Sequence, residues 1–149
     1  MKQVGFVGAF DKTDLIIYIA KILTVLGKRV LIADTTITQK AKYVVPALNP
    51  TLSYITEFEE IDIAVGFKNV EAIANYTNRS IETLEYDYLL LDIDSAESAM
   101  NFRIDRSVQN FFVTSFDTYD IRRGIEILNQ FQNPIKMTKV LFSKEVTKE

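Results

Sequence analysis

The chain has 149 residues, 48% of them apolar and 25% charged, which suits one globular domain with a sizeable core and excludes a disordered or low-complexity polypeptide. It contains neither cysteine nor histidine, so Cys/His zinc centres, thiol nucleophiles, histidine triads and haem ligation by either residue are excluded. A net charge of −3 and a pI near 5.1, with no Lys/Arg run, argue against specific nucleic-acid binding.

In chain order, residues 4–9 read as a short buried strand, and residues 13–26 as a helix that is apolar on most sides. Gly27 suits the helix C-terminus, and Lys28 and Arg29 follow it. The run "RVLIAD" ending at Asp34 has the continuous apolarity of a central parallel strand. Strand, helix and strand together make a βαβ unit. A short helix is possible over 39–45, stopped by Pro46 and Pro50. Residues 54–67 look extended, either as one bulged strand or as two strands turning at Glu59-Glu60. Helical spacing covers 70–84, a buried strand 87–93, a short helix 96–102, a strand 109–115, a helix 119–131 and a last strand 139–142. This alternation predicts an α/β fold, a mostly parallel sheet flanked by helices on both faces. The longest apolar stretch, residues 15–26, is interrupted by Lys21 and too short to span a bilayer. No signal-peptide pattern opens the chain, and no basic amphipathic helix offers a membrane anchor. Cytoplasmic localisation is therefore expected, in keeping with the absence of cysteine.

A Lys-Thr pair at the first helix start, "LGKRVLIAD" at the first helix end and "YDYLLLDID" later resemble, in this order, the ParA/MinD family of deviant-Walker P-loop ATPases. The resemblance covers residue 1 to about residue 144 and implies a P-loop NTPase-like, Rossmann-like three-layer fold. It also implies ATP and Mg²⁺ as cofactors where the loop is functional. By position, Lys12 resembles the Walker A lysine that reaches the β- and γ-phosphates, and Thr13 the hydroxyl that holds Mg²⁺. Asp34 resembles the acid of the second strand, and Asp92 the Walker B acid acting on the Mg²⁺ shell. Gly8 lies in the phosphate loop, and Ser143 falls where many members carry an adenine-reading Asn. Members continue with further strands and helices past this point, so a single domain over 1–149, shortened at its C-terminal end, is expected.

The loop departs from the family pattern. G-x-x-x-x-G-K-[ST] places five residues between its first Gly and its Lys, but Gly8 and Lys12 enclose only Ala9, Phe10 and Asp11. With the register fixed at Lys12, the first motif Gly falls on Phe6, the second on Asp11, and the family's signature lysine on Val7. Glycines let a backbone curl around phosphates, and a helix N-terminus offers them free N–H groups. Phe10 sets a ring where that loop should be open. Asp11 and Asp14 have the spacing of an N-cap and its N3 partner, so a carboxylate is expected to take the N–H groups of a phosphate. Like charges 5 Å apart repel by about 1 kcal/mol in water and about 3 at an effective dielectric of 20.

The expectation is a degenerate, non-catalytic ParA/MinD-like module that engages a protein partner, with no cofactor. The alternative is a working ATPase that dimerises on nucleotide, with Lys12, Thr13, Asp34 and Asp92 in the family roles. A third reading is a receiver-like signalling module that gathers Asp34, Asp92, Asp94, Thr114 and Lys144 at strand ends. Arg122 and Arg123, after Asp117 and Asp120, read as a solvated helix face or a partner contact.

Overall fold

The computed structural model describes residues 1–36 and 53–141. Its elements are β1 (Lys2–Val7), α1 (Thr13–Val25), β2 (Val30–Asp34), β3 (Tyr54–Phe58), β4 (Ile61–Val65), α2 (Val70–Tyr76), β5 (Tyr88–Ile93), α3 (Ala96–Asn101), β6 (Gln109–Thr114), α4 (Thr118–Asn129) and β7 (Thr138–Leu141). The expected helix at 39–45, Ser143 and Lys144 lie outside the described residues.

The seven strands form one sheet in the order β3-β4-β2-β5-β1-β6-β7. Every pairing is parallel except β3 with β4. This antiparallel pair settles the open reading of residues 54–67: it is a hairpin, and Glu59 and Glu60 both adopt the left-handed φ that a tight two-residue turn needs. Counted from β2, as the receiver-like reading requires, the parallel strands follow the 2-1-3-4-5 order, but β1 is inserted at the centre of the sheet between β5 and β6, where a receiver sheet has no strand, so that reading fails on topology.

Alternation along the strands divides the core into two layers. Val30, Ile32, Ile63, Leu90 and Phe6 face one side with Ile16 and Ala20 of α1. Leu31, Ala33, Leu89, Leu91 and Val7 face the other with Ile73 of α2, Ala99 of α3 and Ile127 of α4. Helices thus cover both faces. The end of α1 is a Schellman closure: Gly27 takes φ 84°, its N–H donates to Thr24 O, and the Lys28 N–H donates to Leu23 O.

The helix expected over 70–84 stops earlier, at Tyr76. Asn78 enters the left-handed region and the chain restarts as a 3₁₀ turn over Ile81–Thr83, capped by Ser80. Polar residues in the run "NYTNRS" offered local caps that compete with helix continuation. Among the described residues no helix is long and apolar enough to cross a membrane.

Candidate functional site

α1 leaves β1 toward one face of the sheet, and α3, which follows β5, packs on the other. The carboxyl ends of β1 and β5 therefore border a crevice of the kind in which open α/β sheets hold ligands. One row of paired residues crosses the sheet at this edge: Tyr54, Val65, Asp34, Asp92, Phe6 and Phe111. Paired residues share a face, so two aspartates sit side by side on the α1 face within an otherwise largely apolar row.

The β1–α1 connection, Gly8 to Lys12, closes over that row. Lys12 is 2% exposed. Its ammonium lies 2.8 Å from Asp92 Oδ1 and donates to the Gly8 carbonyl at 2.8 Å. Asp92 Oδ1 has no aligned hydrogen bond, so the ion pair is what compensates its charge. Burial pushes the Asp92 carboxyl above the ordinary range; Lys12 pulls it back, and the charges of Asp34 and Asp94 push it up again. Asp34 is also buried, and it accepts hydrogen bonds from the Thr36 N–H at 3.0 Å and from the Thr36 hydroxyl. The Tyr54 hydroxyl is raised by its burial first and by the charge of Asp34 second.

Gly8 is set by the sheet. A Cβ there would lie 2.0 Å from the Val113 carbonyl oxygen of β6. The Phe10 side chain lines the cleft at this loop. It is buried in the α1-face cluster with Phe6 and Ile16 and pins the loop down. The expected cap is also displaced by one residue. Lys12 is the N-cap, because its carbonyl accepts the first helical bond, from Ile16. Asp11 lies just before it and Asp14 falls at N2 rather than N3. The Asp11 carboxylate still takes one of the free N–H groups, that of Thr13, at 3.3 Å.

Around this loop lies a cleft of about 280 Å³, lined by Lys12, Thr13 and Thr36 and by the carboxylates Asp11, Asp92, Asp94 and Asp120. Of the residues singled out from sequence, Lys12, Thr13, Asp92 and Asp94 meet here. Asp34 lies beside Asp92 in the strand row, and Gly8 under the loop. Thr114 ends β6, its hydroxyl bonded to the Ser115 carbonyl. Arg122 and Arg123 lie on the exposed side of α4, where Arg123 pairs with Glu126 at 2.8 Å. Sequence reading missed Asp120 and Thr36 as cleft residues. Asp120 is in the first turn of a helix that follows a central strand, a position that pointed to this edge; its carboxylate accepts from Ser115 Oγ at 2.6 Å. Among the described residues no group of three or more acidic side chains is arranged to hold a metal ion.

The sequence matches no protein-family model and no curated protein. The fold does match solved structures. A chain of the MinC:MinD cell division protein complex of Aquifex aeolicus superposes with a TM-score of 0.64 at 15% identity, over 95% of this chain and 67% of that one. A ParA family ATPase from Chlorobium tepidum TLS gives 0.57 at 14% identity, over 99% and 75%. A plasmid partition protein from Borrelia burgdorferi, bound to AMPPNP, gives 0.55 at 13%, over 97% and 76%.

Proposed function

With a ParA/MinD-like α/β fold as its frame, we propose that this chain is a non-catalytic interaction or positioning module, working on a protein partner in a cytoplasmic assembly. The observation that carries this reading is the state of Lys12. A polyphosphate at this loop would have to draw the Lys12 ammonium away from the partners it has within the chain. Here the ammonium is buried and neutralised within the chain, by Asp92 and the Gly8 carbonyl. The rest of the cleft does not fit a magnesium nucleotide. Asp11, Asp92, Asp94 and Asp120 set four carboxylates against one lysine, and polyphosphate would add charges of the same sign. Asp11 already occupies the Thr13 N–H. Gly8 answers to the β6 backbone, and the two motif glycines are Phe6 and Asp11.

The second reading is a nucleotide-binding ATPase. In its favour, Lys12, Thr13 and Asp92 share one cleft at the carboxyl edge of the sheet, and a protein of the same fold is bound to AMPPNP. In that case Lys12 would reach the phosphates, Thr13 and Asp92 the Mg²⁺, and Asp34 the second acidic position.

Thermal unfolding with and without Mg-ATP separates the two. A ligand at 100 times its Kd stabilises by about 2.7 kcal/mol, which moves the midpoint of a domain this size by several degrees. The expected result is an unchanged midpoint at millimolar Mg-ATP. A shift of several degrees that disappears in Thr13→Ala would overturn the proposal in favour of the ATPase.

A further inference from the structure

α1 carries more apolar surface than the sheet covers. Ile16 and Ala20 are buried against the strands. On the opposite side Tyr18 is 64% exposed, Ile22 46%, Val25 86% and the following Leu26 67%. Positions 18, 22 and 25 fall on one stripe of a helix, and a helix that is apolar on both sides is one that is covered on both sides.

The charges around the stripe are arranged by direction. Lys21, which could have interrupted it, is drawn toward the β3–β4 turn, with its ammonium 2.8 Å from Glu59 and 5.5 Å above the Phe58 ring. What remains is the exposed Asp14 in the first turn and the exposed Lys28 just past the last. We propose that this stripe is the contact between two copies of the chain, with the two α1 helices packed antiparallel about a two-fold axis. A parallel arrangement would stack Asp14 on Asp14 and Lys28 on Lys28. The antiparallel one sets Asp14 of each copy toward Lys28 of the other, opposes the two helix dipoles favourably, and closes on itself as a dimer. One helix face with four apolar side chains is smaller than the roughly 800 Å² a side of a standard stable interface. The dimer is therefore a weak one, in the micromolar range.

The contact does not involve the Lys12 cleft, so the inference holds independently of whether nucleotide binds. The test is sedimentation equilibrium of the full chain, with and without Mg-ATP. The expected result is a nucleotide-independent dimer at about 100 µM chain. Val25→Glu should raise its Kd by at least about tenfold, Asp14→Lys should weaken it, and Asp14→Lys combined with Lys28→Glu should restore it. All three substituted positions are exposed, and circular dichroism checks that each variant is folded. A monomer at that concentration overturns the proposal and leaves the stripe to a different protein. A dimer indifferent to these substitutions also overturns it. A dimer that forms only with Mg-ATP overturns both this proposal and the non-catalytic reading, whereas a nucleotide-independent α1 dimer alongside an ATP-induced melting shift would sink only the latter.

Discussion

Lys12 and Asp92 hold most of the consequence that any single pair has in this chain. Taking two charges out of water is costly, and removing one partner of a buried pair leaves the other uncompensated. Lys12→Met is therefore expected to destabilise the fold by about 3–5 kcal/mol in urea unfolding, and Lys12→Met with Asp92→Leu to recover most of the loss. At the far edge of the sheet, the Tyr86 hydroxyl donates to Asp62 Oδ2 at 2.6 Å. Burial, then that bond and the charge of Asp62, raise its pKa above the ordinary 10. The native state thus holds the phenolic proton more tightly than the unfolded chain does. The stabilisation is fully present below pH 10 and is lost as pH climbs from there toward the raised native value. Urea unfolding of wild type and Tyr86→Phe between pH 8 and 11 (the ordinary tyrosine range) should show the wild-type advantage shrinking as the solution becomes more alkaline.

At the scale of elements, helix ends follow local chemistry that is written in the sequence. Asp117 caps α4, accepting from the Tyr119 N–H at 2.7 Å and from the Asp120 N–H at 3.4 Å. Asp117→Ala should cost about 1 kcal/mol in chemical denaturation, and Asp117→Asn only a fraction of that. Asn69 and Ser95 cap α2 and α3 in the same way. Strand identity was equally legible, because "VLIAD" and "YLLLDI" are apolar without alternation, as strands covered on both faces must be. The start of α1 was less so. α1 begins at Thr13, where the apolar spacing put it, but the spacing of Asp11 and Asp14 suggested Asp11 as the N-cap, and that place is taken by Lys12, whose side chain is turned inward to Asp92. The length of α2 also escaped the apolar periodicity, which runs on past the point where Asn78 turns left-handed.

Across the whole molecule, β4, β2, β5, β1 and β6 form the interior of the sheet, and β3 and β7 its edges. Hydrogen exchange should be slowest at the amides of β2 and β5, which are flanked by strands and buried on both faces. It should be fastest among the strands at β7, whose residues are mostly exposed. A chain bound to Mg-ATP at its first loop would in addition slow the amides at the start of α1. No such change is expected.

By itself the amino-acid sequence determined the layered α/β class and most strands and helices, and its family resemblance put Lys12, Thr13 and Asp92 at one sheet edge. These rest on local periodicity and on the rule that strand ends gather ligands, and both operate within a few residues. Only the tertiary structure decided which partner each group finds. Lys12 turns to Asp92, eighty residues further along the chain; Asp120 arrives from α4; Phe10 goes into the core; Gly8 answers to Val113. Such pairings depend on strand order and register, which put residues remote in sequence within a hydrogen bond of each other, and local pattern carries no record of that.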